Sequence, residues 1–311
     1  MADREDVTRF GTGYQQTLVE RLPDGRVRWN RTLGVNNTDG FRVPPPQLAE
    51  TLEFIAIPGV EFLLPEQASP TQAVWMTDGA TSFSEIVRKR PDSVEAREGV
   101  QLLASMLVAF HEAQSGLPPT VGLTEAPPGL MRYRNWLATG EGPRASSPWR
   151  VHLRSWLGTR RWELLEEAGD ALLLDDRHRH LGLHGWMSLG NVLLADNPDP
   201  SDAASIRLQV LTGTDMGRGL PETDLTCLMG EIAEFTYLAE RDGIDPVPHR
   251  HLAHILTSMY SFEVNPRLVE MGKAVRVALH ARDFASFVGW HDDLDSYPPL
   301  IAELVDQISS R

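Results

Sequence analysis

Residues 181–194 read Leu-Gly-Leu-His-Gly-Trp-Met-Ser-Leu-Gly-Asn-Val-Leu-Leu, two short apolar, strand-like pieces on either side of a loop that carries His184, Gly185 and Asn191. A further strand, Ile206 to Leu211, follows and runs into Thr212-Gly-Thr-Asp215. Beyond it, Gly219-Leu-Pro-Glu-Thr-Asp224-Leu225 opens a long helical stretch with Leu228, Ile232, Phe235 and Leu238 at helical spacing. Strands this short need a sheet around them. A chain that sets them among long helical stretches therefore folds as α+β, not as a helix bundle.

The flanking sequence fills in that frame. Residues 14–33 place two β-prone runs around Pro23-Asp24-Gly25, which predicts a hairpin. Asn36 to Gly40 and Pro44-Pro45-Pro46 make a loop, Leu48, Leu52 and Ile55 mark one short helix, and residues 59–65 and 72–78 read as two more strands. After Asp78-Gly79 the pattern changes. Ser93 to Gln114 is an amphipathic helix with Leu102, Leu103, Met106, Leu107 and Phe110 on one side, Ser93 as its N-cap and Gly116 as its stop. Helices are also expected around residues 131–137, over 149–174, and through His249 to Ser309 with breaks near Asn265-Pro266 and Tyr297-Pro298-Pro299. The expected organisation is a small β-rich lobe with one helix over residues 1–79 and a mainly helical lobe over residues 80–311.

Composition narrows the function. The net charge of −14 argues against nucleic acid, since the dense basic runs, such as Arg88-Lys89-Arg90 and Arg177-His178-Arg179-His180, are short. No apolar run reaches the ~18–20 residues of a membrane helix, and the charged Met1-Ala-Asp-Arg-Glu-Asp6 is followed by no apolar signal stretch. The cytoplasm is the expected compartment. The single cysteine, Cys227, excludes an internal disulfide and a Cys-based zinc cluster. Lys89 and Lys273 are the only lysines, so arginine carries nearly all the positive charge.

The order of these pieces, with a small β lobe, a hinge near Trp75 to Gly79, a long helix ending Phe110-His111, the loop at 184–191 and an Asp after the next strand, resembles the aminoglycoside-phosphotransferase-like branch of the protein-kinase fold. In that branch the loop reads His-Gly-Asp-x-x-x-x-Asn. His184, Gly185 and Asn191 match it, Asp215 matches the second metal-binding Asp, and Asp224 matches the Asp that braces the catalytic loop. The resemblance implies a two-lobed fold with ATP and Mg2+ as cofactors and Asn191 and Asp215 as the metal pair.

Three departures bear on that chemistry. The position of the catalytic base is Trp186, and indole accepts no proton. Residues 1–88 hold no lysine to grip phosphate oxygens, which leaves Arg28 and Arg31 on the second hairpin strand, together with Trp75 at the hinge, as the nucleotide-facing residues. Gly11-Thr-Gly13 is a thin substitute for a glycine-rich phosphate loop. The expectation is a degenerate kinase-like protein whose nucleotide binding is weakened or lost.

Plainer readings stand beside the functional ones. His184 and Asn191 are also what a tight turn between strands uses, Asp215 is also a turn residue between Gly213 and Gly217, and Trp186 is either core packing or a contact surface for a partner. Asp175 and Asp176 are placed to substitute for the missing base or to end a helix in solvent. His249, His251 and His254 have no carboxylate or cysteine at metal-ligand spacing, and Cys227 reads as a small hydrophobe. Relatives in the resembling branch act on small molecules or on precursor peptides of lanthipeptide and thioamitide type. A kept cleft with a lost base implies a protein that binds a precursor peptide or a partner biosynthetic enzyme and assists its modification. The alternatives are an active phosphotransferase with an unorthodox base, acting on Ser/Thr of a peptide or on a small-molecule hydroxyl, and a purely structural subunit.

Overall fold

The structure, a computed structural model, describes residues 7–42, 45–53, 55, 57–115, 123, 125–173, 179–196 and 206–309. It begins with an antiparallel meander, β1 (Val7–Gly11), β2 (Gln15–Arg21) and β3 (Val27–Leu33). Gly25 turns the β2–β3 hairpin at φ +87°, a conformation that favours glycine at the end of the Pro-Asp-Gly turn. After α1 (Pro46–Glu53) come β4 (Val60–Leu63), β5 (Gln67–Ala68), β6 (Gln72–Thr77) and β7 (Thr81–Ser82).

The pairing splits the expected strands 59–65 and 72–78 between two sheets. β6 joins the meander, in the order β1-β2-β3-β6-β5, while β4 leaves it. β4 pairs in parallel with β10 (Leu208–Leu211), and β9 (Val192–Leu194) and β7 complete a second sheet in the order β4-β10-β9-β7. The physical reason is burial. Leu208 to Leu211 are all buried, and a strand covered on both faces needs neighbours on both edges to satisfy its backbone. This second sheet ties residues on either side of Gly79 together. Gly79 itself approaches Leu194 so closely that a Cβ would lie 1.9 Å from the Leu194 carbonyl oxygen.

The helices follow as α2 (Phe83–Lys89), α3 (Val94–Ser115), α4 (Pro128–Thr139), α5 (Ser146–Leu173), α6 (Glu222–Arg241), α7 (Val247–Met259), α8 (Pro266–Phe287) and α9 (Tyr297–Ser309). Ser93 caps α3 by accepting from the Ala96 amide at 3.1 Å, and Asn265 caps α8 by accepting from the Arg267 amide at 2.9 Å. The expected 149–174 helix is broken at Gly158, where φ is +72°. Pro298 and Pro299 sit inside the first turn of α9, where their missing amides leave no helical hydrogen bond unmade. Gly116, Asp175 and Asp176 lie outside the described residues. No described helix is long and apolar enough to cross a membrane.

Three apolar cores among the described residues hold this arrangement. One gathers α3, α6 and α7 under the second sheet, with Leu103, Phe110, Val210 and Leu228 among its members. A second joins α4, α5, α8 and α9. In the third, Trp29 and Trp75 of the meander sheet meet Leu193 and Leu211 of the second sheet, so the two sheets face each other just above the loop at 184–191. The molecule is α+β and two-lobed, a small sheet-rich lobe on a mainly helical one.

Candidate functional site

The loop at 184–191 is fixed from below by two buried acids of α6. Asp224 accepts the backbone amides of His184 and Gly185, each at 2.8 Å, and also the Nε2–H of His111 at 3.3 Å. His111 and Asp224 are both fully buried, and the other imidazole nitrogen lies 2.7 Å from the Tyr260 hydroxyl. Farther along α6, Glu231 accepts the Leu189 amide at 2.8 Å and the Ser84 hydroxyl at 2.9 Å. His184 donates from Nε2 to the Leu211 carbonyl at 3.0 Å. Asn191 donates from Nδ2 to the Trp186 carbonyl at 2.9 Å, which folds the loop on itself. Gly185, at φ +85°, lies so close to the Asp215 backbone that a Cβ would stand 1.9 Å from its carbonyl oxygen. The loop and Asp215 are thereby brought against each other.

Trp186 turns its ring onto Arg276 of α8, whose guanidinium carbon is 4.4 Å from the ring centroid. Arg276 is buried and lies 3.9 Å from Glu231 and 3.8 Å from Glu234. The indole packs against both helical cores and shares a small cavity with Leu130, Cys227 and Leu279. Position 186 therefore contributes packing to the helical lobe and no acid–base group.

Asp215 stands at the meeting of the two lobes. Its Oδ1 accepts from the Tyr14 hydroxyl at 3.4 Å and its Oδ2 from the Thr214 hydroxyl at 3.0 Å. Arg132 of α4 donates to the Tyr14 hydroxyl at 3.2 Å and pairs with Asp39 at 3.3 Å and Asp283 at 3.4 Å. Burial would lower the Arg132 pKa, but Asp283, Tyr14, Asp215 and Asp39 outweigh it and hold the guanidinium above its ordinary value. Arg31 reaches toward the same place from β3. It is 4% exposed, its guanidinium lies 5.3 Å from the Trp75 ring centroid, and its Nε has no hydrogen-bond partner among the described residues. Burial pushes Arg31 down to about 10, with Asp215 and Tyr14 acting the other way.

The remaining expected residues take other places. Arg28 lies on the opposite face of β3 and pairs with Glu20 at 2.8 Å, so it does not join Arg31. Trp75 is fully buried and donates from its indole to the Thr212 carbonyl at 3.2 Å, which supports Arg31 from beneath. His249 is buried and donates to the Val87 carbonyl at 3.1 Å, while His251 and His254 are exposed. Burial pushes the Cys227 thiol up to about 12, well outside the range of a reactive thiolate.

Compared with solved structures, the chain aligns over nearly its whole length. Plasmodium vivax ethanolamine kinase matches at 9% identity over 98% of this chain and 82% of that chain, with a TM-score of 0.54. A choline/ethanolamine kinase family protein from Mesorhizobium loti matches at 15% identity over 100% and 90%, with a TM-score of 0.52. A glucosamine kinase in complex with glucosamine, ADP and inorganic phosphate matches at 14% identity over 98% and 75%, with a TM-score of 0.50. The fold is that of the kinase-like phosphotransferases. No family model and no curated protein matches the sequence.

Within a kinase-like fold, the cofactors to test are Mg2+ and a nucleotide. Asn191 and Asp215 present one amide oxygen and one carboxylate, since the Asn191 nitrogen is already spent on Trp186. Were both to face one ion, an amide oxygen and a carboxylate would suit a Mg2+ that keeps its waters and takes further oxygens from phosphates. No three His, Cys, Asp or Glu side chains gather into a metal site among the described residues. For the nucleotide, Arg31 is the buried cation of the small lobe. The Gly11-Thr-Gly13 turn folds down, with the Gly13 amide donating to the Phe287 carbonyl at 2.8 Å.

Tyr14, Arg132, Asp283, Glu231 and Arg276 join the site without having been expected from the sequence. Tyr14 follows the Gly11-Thr-Gly13 turn, a local cue to a residue at the cleft. The other four lie on helices whose periodicity gives no hint of a polar partner.

Proposed function

We propose that this kinase-like protein is a binding member of its fold that does not transfer phosphate. In this reading it holds a precursor peptide or a partner enzyme between its lobes and assists dehydration or thioether chemistry in natural-product biosynthesis, in the cytoplasm. The observation that carries the proposal is the stack of Trp186 on Arg276, which puts packing where phosphoryl transfer needs a carboxylate. An open groove of about 800 Å³ beside Arg132, lined by Asp39, Arg42, Glu125, Met131 and Asn135, supports the binding of an extended ligand with mixed polar and apolar groups.

The second reading, an active ATP-dependent phosphotransferase acting on Ser/Thr of a peptide or on a small-molecule hydroxyl, draws support from the Asp224 brace and the kept Asn191 and Asp215. Thermal denaturation with and without millimolar Mg-ATP separates the two. A ligand at 100 times its Kd stabilises by about 2.7 kcal/mol, so an enzyme working on Mg-ATP must shift its midpoint. The binding reading expects little or no shift and no ATP consumption. ATP turnover that Asn191→Ala or Asp215→Ala abolishes would overturn it. For the peptide half of the proposal, the test is pull-down of a precursor peptide or lyase encoded beside this chain, with capture lost on charge reversal of Arg132.

A further inference from the structure

The turn between β1 and β2 is strapped to the helical lobe. Its Thr12 amide donates to the Gln15 carbonyl, its Gly13 amide to Phe287 at the end of α8, and the Asn36 amide donates to the Gly13 carbonyl, each at 2.8 Å. The approach is too close for side chains: a Cβ on Gly13 would lie 2.6 Å from Asn36 Nδ2, and one on Gly34 would lie 2.3 Å from the Gly13 carbonyl carbon. At the tip, the Tyr14 ring rests on Phe287, centroid to centroid 4.9 Å, and under the Arg132 guanidinium at 4.6 Å. Its hydroxyl then takes Arg132 as donor at 3.2 Å and Asp215 as acceptor at 3.4 Å. β1, all five residues exposed, pairs with β2 alone among the described residues.

We propose that Tyr14 is a latch on the cleft: in the closed protein its side chain occupies Asp215 and Arg132, and a ligand that uses Asp215 has to displace it. The inference rests on the reading of Asn191 and Asp215 as the kept metal pair. The Tyr14 hydroxyl bond to Asp215 is long, and the carboxylate oxygen it engages is one a cation would claim. Opening also gives the buried Arg31, whose Nε has no partner among the described residues, access to an anion entering with the cation.

The test uses the full chain and Mn2+ as a spectroscopic substitute for Mg2+, with free Mn2+ followed by electron paramagnetic resonance. Tyr14→Phe removes the hydroxyl and keeps the ring, while Tyr14→Ala removes both. Each is expected to bind Mn2+ about tenfold or more tightly than the unchanged protein, and the gain is expected to vanish when Asp215→Asn is added. Hydrogen exchange at the Gly13 and Asn36 amides is expected to quicken in Tyr14→Ala while the helical circular dichroism is unchanged. Equal Mn2+ affinity in all forms, no binding in any of them, or a gain that survives Asp215→Asn overturns the latch. Should Tyr14→Ala fail to fold, Tyr14→Phe carries the comparison. ATP turnover gained by Tyr14→Phe would leave the latch standing and overturn the non-transferring reading instead.

Discussion

Arg276 sits over the Trp186 ring, guanidinium carbon 4.4 Å from ring centroid, with Glu231 at 3.9 Å and Glu234 at 3.8 Å from the same cation. The aromatic ring, the cation and the two carboxylates form one contact cluster between α6, α8 and the loop. Removing any member leaves its buried partners poorly solvated.

Trp186→Ala is therefore expected to lower stability by about 2–4 kcal/mol, somewhat under the usual range for a fully buried tryptophan because the ring is only partly covered. Urea denaturation with an unchanged m value checks this. A loss below about 1 kcal/mol would make the indole a surface contact instead of core.

Asp224→Ala strands the amides of His184 and Gly185 and removes the acceptor of His111. With each buried donor left unmade costing about 1–3 kcal/mol, the expected loss is about 3 kcal/mol or more. Asp224→Asn keeps one acceptor oxygen and is expected to fall between. Faster hydrogen exchange at the His184 and Gly185 amides would localise the damage.

Glu231 makes stability depend on pH. Burial raises its carboxyl above the ordinary glutamate range, with the nearby Arg276 guanidinium and the Leu189 amide pulling it back only in part. From about pH 4.3 up to the raised value, the folded protein keeps a proton that the unfolded chain has released, so stability falls as pH rises. Glu231→Gln lacks that slope. The stability of the unchanged protein minus that of the variant should shrink steadily between about pH 4 and the raised value, and a flat difference would refute the buried-carboxyl account.

Arg31→Met tests whether the small lobe's buried cation is structural. No hydrogen bond or ion pair to the Arg31 side chain is found among the described residues, apart from its place over the Trp75 ring and near Asp215. An apolar side chain of similar length is expected to leave the thermal midpoint unchanged or raise it. A fall of about 3 kcal/mol or more would mark Arg31 as half of a structural ion pair.

Much of the fold is legible in the sequence because its signals are local. The Pro23-Asp24-Gly25 turn, the Ser93 cap and the helix break at Asn265-Pro266 each act over a few residues, and at that break the structure adds a cap by Asn265. The spacing of His184, Asn191, Asp215 and Asp224 is likewise a chain-order signal, and Asp224 sits under the loop as that order implied.

The sequence by itself determined where most strands and helices lie, the lack of a carboxylate at 186 and the lack of a lysine before position 89. Tertiary structure alone decided which sheet β4 enters, which face of β3 turns Arg31 inward and Arg28 outward, and what Trp186 touches. It also set Tyr14 against Asp215 across 201 positions of chain. The physical reason is range: hydrogen bonds within a turn or helix are encoded by neighbours, whereas a buried strand edge or a cation beneath an indole is chosen by whichever distant segment can cover it.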